Sequence, residues 1–328
     1  MIHTRILTVL GLSVAVALVG CELDEPEPEI EVPGDLPAPV AEQADAEPQP
    51  FAPGVVPAHG DVTSVAPGPG GERILLAMSG EADELSRIWE SRWDEESERY
   101  DEPNPLPFSR IGDADREPAL APTSRYLVFS SARPTPIDPA GGFNIWVTEW
   151  QDPETAEEEG NQEGWRDPWL IPLVSSPVWD GGPTLAASGN LYFASLRDGP
   201  AEGRSLYVSE MEDGEWGGAD PLDPPVSSLA DDVDPWVAPD ESFLLFASDR
   251  NGAFDLYVSF RSEVGGWLDP LPLGDAVNTS ANETAPAMSE TGEYLFFHRE
   301  GEGILWIPTE HADIQRPDEA ADGGDWEE

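Results

Sequence analysis

The middle of the chain repeats one pattern of short apolar segments, and this repeat constrains the fold more than any other feature. Four stretches share a Pro, a short apolar run, a polar turn and an apolar aromatic segment: EPALAPTSRYLVFSSAR (117–133), GPTLAASGNLYFASLR (182–197), DPWVAPDESFLLFASDR (234–250) and APAMSETGEYLFFHRE (285–300). A further strand-like segment follows each copy, and a weaker fifth copy contains SVAPGPGGERILLAM upstream. Units of short strands bury both faces only by stacking on one another. The sequence therefore predicts an all-β fold, a β-propeller of four-stranded blades.

The repeats resemble the TolB-type, WD-like β-propeller repeat family. The resemblance is clearest in APDE (238–241), FASDR (246–250) and DLYV (255–258), and it covers about residues 60 to 310. It implies a propeller and, by analogy with that family, an envelope protein as partner. Many unrelated functions use this scaffold, so the resemblance is specific for the fold rather than for the activity.

The number of copies predicts the number of blades. Five copies favour five blades, and a six-bladed ring is the alternative, which needs a sixth repeat that the sequence does not show. The segment PFAPGVVPAHG (50–60) is similar to WLDPLPLGDAV (267–277) in spacing and apolar content. It is predicted to close the ring as the outer strand of the last blade. One strand position is predicted to carry an aromatic residue in every blade: Trp89, Trp146, Tyr207, Tyr257 and Trp306.

The N-terminus predicts an anchored, exported protein. Residues 1–20 have the short basic start and apolar run of a signal peptide, too short for a comfortable membrane span. Leu18-Val19-Gly20-Cys21 resembles the bacterial lipobox, which implies lipid on Cys21, the single cysteine of the chain. The alternative is an ordinary signal peptide with an unrelated cysteine. Glu22 favours the outer over the inner membrane.

The remaining boundaries follow from composition. Residues 21–49 are acidic and rich in Pro, which predicts a disordered tether between the lipid and the propeller. The propeller is expected to span 50–316, and 317–328 is an acidic tail.

Charge excludes one class of partner. The chain has 66 Asp and Glu against 16 basic residues, a formal net charge of −50. Binding to nucleic acid needs a basic surface, so it is excluded. Cations, basic proteins and neutral glycans remain.

Acidic residues recur three positions before the repeat Pro. In the four clear copies they are Asp115, Asp180, Asp232 and Glu283, and Asp61 is the rough equivalent in the first copy. These five acids are predicted to meet at one end of the central channel, with Glu117, Asp231 and Asp234 nearby. Such a ring of oxygen ligands suits Ca²⁺ or a basic peptide. The alternative is that each carboxylate caps its own turn by accepting backbone N–H groups.

Two further sets of residues recur, with different interpretations. Arg133, Arg197 and Arg250 occupy one repeat position and are predicted to tie loops together, by pairing with a nearby acid such as Asp255. Trp165, Trp216 and Trp267 recur in the joining segments and are expected to pack blades. Trp169 and Trp179 fall outside the repeat and are candidates for surface contact.

Catalytic motifs are weak. The sequence has no His-x-x-x-His, no Gly-x-Ser-x-Gly and no phosphate loop. The expected function is a non-enzymatic protein-binding platform at the bacterial cell envelope. The alternatives are a glycan-binding or carbohydrate-active propeller that uses acids at the channel mouth, and a surface lipoprotein with a structural role that is stabilised by Ca²⁺.

Overall fold

The described part of the chain consists of β-strands in five antiparallel sheets, with two short 3₁₀ turns at Pro69–Gly71 and Thr309–His311. The computed structural model describes residues 47–51, 62–80, 83–94, 96–97, 99–139, 141–151, 164–199 and 203–316. In these residues no helix has the length and apolar character that crossing a membrane requires.

Each sheet is one blade, and its strands follow the chain from the centre outward, except that the outer strand of blade 5 comes from the N-terminal side of the propeller. Blade 1 contains β2 (Val62–Pro67), β3 (Arg73–Gly80) and β4 (Asp83–Asp94), with β5 (Arg99–Tyr100) and β6 (Asn104–Pro105) both on β4. Blade 2 contains β7 (Arg116–Leu120), β8 (Tyr126–Ser131) and β9 (Asn144–Gln151), with β10 (Gly164–Trp165) and β11 (Trp169–Leu170) both on β9. Blade 3 contains β12 (Asp180–Leu185), β13 (Leu191–Ser195), β14 (Ser205–Glu212) and β15 (Glu215–Pro221). Blade 4 contains β16 (Asp232–Val237), β17 (Phe243–Ser248), β18 (Asp255–Phe260) and β19 (Leu271–Pro272). Blade 5 contains β20 (Glu283–Met288), β21 (Tyr294–Arg299), β22 (Gly303–Pro308) and β1 (Gln49–Pro50).

The innermost strands form a closed ring. Strand β2 contacts β7, β7 contacts β12, β12 contacts β16, β16 contacts β20, and β20 contacts β2. The prediction of a five-bladed, all-β propeller is therefore confirmed. Apolar clusters fill the spaces between neighbouring blades, as expected for sheets that cannot bury both faces alone.

The N-terminal strand closes blade 5. Gln49 pairs with Trp306 and Pro50 with Leu305, and the Phe51 N–H donates to the Ile304 carbonyl at 2.9 Å. The predicted closure by an N-terminal strand is confirmed, with the strand one residue earlier than the segment 50–60. Residues 52–60 lie outside the described residues. Phe51 is buried and packs edge-on against Phe296, so the closure is hydrophobic as well as hydrogen-bonded.

The repeated aromatic position is regular in the middle blades and shifted in the last. Trp146, Tyr207 and Tyr257 lie opposite Phe129, Phe193 and Phe246 on the neighbouring strands, and Trp89 lies opposite Leu76. In blade 5 Leu305, opposite Phe297, takes the place that was predicted for Trp306. Neighbouring residues of a strand point to opposite faces, so Trp306 packs instead in the cluster with Phe51 and Tyr100.

Candidate functional site

The predicted ring of acids lies at the beginning of the inner strands, but its carboxylates are buried. Asp115, Asp180, Asp232 and Glu283 are each fully buried. Each pairs with an arginine of its own blade: Arg133–Asp115 at 2.6 Å, Arg197–Asp180 at 2.9 Å, Arg250–Asp232 at 2.7 Å and Arg299–Glu283 at 2.8 Å. Asp61 lies outside the described residues. Ligation by these acids stays a prediction, while the observed contacts are internal.

Three of these acids also accept backbone N–H groups four residues upstream. The donors are Ser176 N to Asp180 at 2.6 Å, Ser228 N to Asp232 at 2.6 Å and Thr279 N to Glu283 at 3.1 Å. These are the turn-capping contacts of the alternative interpretation.

Each arginine connects three parts of its blade, as Arg250 illustrates. Its Nη2 donates to Asp232 Oδ1 and to the carbonyl of Val226, both at 2.7 Å, and its Nε donates to Ser248 Oγ at 2.9 Å. Its guanidinium also lies 4.8 Å from the ring centroid of Tyr257. Arg133 and Arg197 make the corresponding bonds to their acids and to the carbonyls of Phe108 and Val174.

The pairing predicted for Asp255 does not occur. Arg250 pairs with Asp232, whereas Asp255 lies at the start of β18 opposite Ser248. Burial raises the pKa of Asp255, and the charge of Glu283 adds to the effect.

Blade 5 supplies its arginine from a different position. In blade 5 the residue opposite Glu283 is Arg299 itself. In blade 4 the residue opposite Asp232 is Ser248, and the arginine follows two residues later, at Arg250. The Nη2 of Arg299 donates to the carbonyl of Val277 at 2.9 Å, the same type of loop contact that Arg250 makes. Blade 5 also has a longer acid at this position, Glu283, where blades 2 to 4 have Asp.

A central channel runs between the inner strands and contains a cavity of about 370 Å³. Eight prolines line it, four of them the repeat prolines: Pro67, Pro69, Pro118, Pro122, Pro183, Pro235, Pro239 and Pro286. Two carboxylates, Glu117 and Asp234, lie in its wall near the start of the inner strands, and Glu290 lies at the other end. The charged groups of the cavity wall thus lie near its ends.

A backbone irregularity places these carboxylates in the channel. The residue before the repeat Pro has a positive φ in blades 2 to 5: Glu117 (54°), Gly182 (60°), Asp234 (50°) and Ala285 (50°). Pairing with the second strand shifts register at each of these points. A bulge of this kind redirects a side chain.

Each carboxylate reaches across to the next blade. Glu117 Oε2 accepts the N–H of Gly182 at 2.7 Å, and Asp234 Oδ2 accepts the N–H of Ala285 at 3.2 Å. Ser130 Oγ also donates to Glu117 at 2.5 Å. These bonds join blade 2 to blade 3 and blade 4 to blade 5.

Asp234 is the electrostatically strained member of the pair. Burial, together with the negative charge of Glu117, raises the pKa of Asp234 to about 6. Two arginines lie close enough to lower it, but each has another partner. Arg204 pairs with Asp231 at 2.8 Å, and Arg116 contacts Glu117 at 3.1 Å while its guanidinium lies 3.6 Å from the centroid of the Phe143 ring.

The two tryptophans predicted for surface contact occupy different places. Trp169 is on the outer strand β11 and is 40% exposed. Trp179 is half-buried beside the channel, where its ring covers Gly181 and lies 5.3 Å from the guanidinium of Arg204. Trp165, Trp216 and Trp267 each pack on another aromatic ring, Trp150, Tyr126 and Tyr192.

Exposed apolar side chains concentrate on one end of the propeller. We call this end the front face; it carries the loops between blades, which lead into the inner strands, and the loops between second and third strands. Nine large apolar side chains are exposed in the described residues, and five lie in front-face loops: Ile111, Ile137, Leu173, Val178 and Leu229. Val264 is the one of the nine in a loop of the opposite, back face. The front face surrounds the channel end that contains Glu117 and Asp234.

The comparisons with known proteins add solved structures but no family. No protein-family model matches the chain, and no curated protein matches it. A TolB-type protein from Agrobacterium tumefaciens is similar at 14% identity and a TM-score of 0.48, over 77% of this chain and 79% of that one. A GH43_12 protein from a capybara gut metagenome has 12% identity and a TM-score of 0.46, over 76% of this chain and 52% of that one. The Hadza microbial sialidase Hz136 has 13% identity and a TM-score of 0.46, over 80% of this chain and 59% of that one. The assignment of the fold rests on the five blades described above.

Proposed function

We propose that this chain is a lipid-anchored protein of the bacterial cell envelope whose propeller binds a partner protein through its front face and catalyses no reaction. The observation that carries this proposal is the concentration of exposed apolar side chains in the front-face loops. Leu229 is 86% exposed, Ile111 67% and Leu173 65%. Exposed apolar groups gathered around an opening are typical of protein-binding surfaces.

The anchor part of the proposal rests on the sequence around Cys21. Lipid on this residue would hold the propeller at a membrane surface through the acidic tether, and Glu22 favours the outer membrane. Replacement of Cys21 by Ser is expected to move the protein from the membrane pellet to the soluble fraction. Membrane association that survives Cys21→Ser would contradict the anchor.

The binding part is tested by crosslinking in native envelopes. The full-length protein is compared with the triple variant Ile111→Ser, Leu173→Ser, Leu229→Ser. Val264→Ser is the matched control, since Val264 is 95% exposed on the back face. The proposal expects one crosslinked protein that the triple variant loses and the control retains. Equal recovery with all three proteins would contradict a front-face interface.

One observation favours a second candidate, a carbohydrate-active propeller. Glu117 and Asp234 bring two carboxylates to one cavity, and the raised pKa of Asp234 is a property of general acids in glycoside hydrolysis. This candidate expects hydrolysis of aryl glycosides below about pH 6, abolished by Asp234→Asn. The absence of turnover across a glycoside panel would eliminate it.

The calcium-stabilised alternative has less support. In the described residues no group of three or more His, Cys, Asp or Glu side chains is arranged to hold a metal ion. The four described acids of the predicted ring are paired with arginines instead.

A further inference from the structure

The front end of the channel is rich in hydrogen-bond acceptors. The repeat prolines Pro118, Pro183, Pro235 and Pro286 remove N–H groups from the inner edge of four blades. The neighbouring N–H groups of Gly182 and Ala285 are donated to Glu117 and Asp234. A ligand that enters this end therefore meets carboxylate and carbonyl oxygens.

Asp234 has room for a cationic partner. Its side chain makes no ion pair among the described residues, because Arg204 is bound to Asp231 and Arg116 lies against Glu117 and Phe143. A half-buried carboxylate beside a second carboxylate is destabilised until a positive charge lies between them. Arg116 and Arg204 lower the pKa of Asp234 from a distance, and no cationic group of the described residues pairs with its carboxylate directly.

A second feature of the same cavity is independent of the acids. Ser64 lies in the cavity wall, is 6% exposed, and its Oγ has no hydrogen-bond partner among the described residues. A buried hydroxyl without a partner is uncommon in a folded protein.

The rest of the wall suits an apolar stem. Trp236, Met288 and Val65 lie in it beside the prolines. The volume of about 370 Å³ lies within the usual range of small-molecule sites, about 300–1,000 Å³.

We propose that this cavity binds an organic cation, a guanidinium or primary ammonium group on a slim apolar stem, with the charged head between Glu117 and Asp234. A planar guanidinium suits two carboxylates because it donates in several directions at once. The cation is either a free small molecule or an Arg or Lys side chain of a partner protein. The inference rests on the cavity and does not require that the front face bind a partner.

The test is calorimetric titration of the full chain at physiological salt and pH 7.5. The probes are agmatine, for the free cation, and N-acetyl-Gly-Arg-Gly-amide, for the side chain of a partner. Butylurea, similar in shape to part of agmatine but uncharged, is the control ligand. We expect a cationic probe to bind at one site. Butylurea should bind more weakly by about tenfold or more, because it lacks the charge that strengthens the hydrogen bonds to the carboxylates. The probe that binds more tightly identifies the source of the cation.

Two variants locate the site and one controls for the charge of the protein. Glu117→Gln and Asp234→Asn are close in shape to the native side chains, and Asn tolerates the positive φ of position 234. Each is expected to weaken the cationic probe by about tenfold. Glu290→Gln removes one charge at the other end of the same cavity and is expected to leave binding unchanged.

Three results would overturn the inference. They are no binding of either cationic probe, binding of butylurea as tight as that of agmatine, and equal losses in Glu290→Gln and Asp234→Asn. The last result would show general attraction to an acidic protein rather than a site. Failure here leaves the crosslinking outcome of the proposed function unaffected, so the two are judged separately.

Discussion

Replacement of Arg250 by Ala tests whether the repeated arginines hold the blades together. The arginine donates three hydrogen bonds, to Asp232, Val226 and Ser248, and its side chain is 18% exposed. Its removal leaves the carboxylate of Asp232, which is fully buried, without a positive partner. Breaking a buried ion pair in this way costs about 3–5 kcal/mol of the free energy of unfolding. For a domain of this size, that lowers Tm by roughly 6–20 °C.

The assay is thermal and denaturant unfolding followed by tryptophan fluorescence. The control is Arg92→Ala, because Arg92 is 56% exposed and pairs with Glu90 at 3.1 Å. An exposed pair of this kind contributes about 0–1 kcal/mol. The double variant Arg250→Met, Asp232→Leu should recover part of the loss, since it leaves no buried charge. A cost for Arg250→Ala within about 1 kcal/mol of the control would refute the structural role of the arginine.

Three further perturbations test the channel and the closure of the ring. Gly182→Ala should lower the free energy of unfolding by about 1–3 kcal/mol more than Gly70→Ala does. Both glycines have φ near +60°, but only at Gly182 would a Cβ lie 3.0 Å from a backbone atom, the Cα of Asp234. Equal costs for the two variants in urea melts would refute the close approach. Asp234→Asn should raise Tm at pH 8 and lose this advantage as the pH falls from about 6 to 4. The pKa of Asp234 is 3.8 as a model value and about 6 in the folded protein, so ionisation costs stability fully above about pH 6 and not at all well below 3.8. A gain independent of pH would contradict the shift. Phe51→Ala should cost about 3–5 kcal/mol by removing the buried ring against Phe296; a loss below about 1 kcal/mol would mean that the N-terminal strand does not close the ring.

The fold could be predicted because each blade has its own copy of one sequence repeat. The spacing of Pro, Phe and the following aromatic residue is set by the pairing of the first three strands of a blade, so each copy reports the same local geometry. The closing strand was also predictable, because 50–60 resembles a segment of blade 4 that pairs with a third strand. The copy that forms blade 5 was misaligned by one residue at Trp306, since Leu305 offers no aromatic signal at the equivalent place.

The site was predicted less well, for a physical reason. The acids three positions before the repeat Pro were predicted either to bind a ligand at the channel mouth or to cap their own turns, and in the structure they contact arginines and turn N–H groups. Glu117 and Asp234 lie in the channel wall because a bulge with positive φ precedes each Pro and breaks the alternation of faces. The spacing of residues in the sequence does not reveal a bulge, so it could not show that these two side chains point into the channel.

Two other features depend on contacts that are distant in sequence. Arg299 takes the role of the missing arginine from a neighbouring position, which becomes evident only when its contact with Glu283 is seen. The front-face side chains Ile111, Leu173 and Leu229 come from three separate loops, and the closed ring of blades brings these loops to one end.

The most direct test of the proposed binding platform is photo-crosslinking in living cells from two positions. A photoreactive amino acid replaces Leu229 on the front face or Val264 on the back face, which are 86% and 95% exposed. The proposal predicts a discrete crosslinked partner from position 229 and none from position 264. The same adduct from both positions, or none from position 229, would contradict a front face that binds a partner protein.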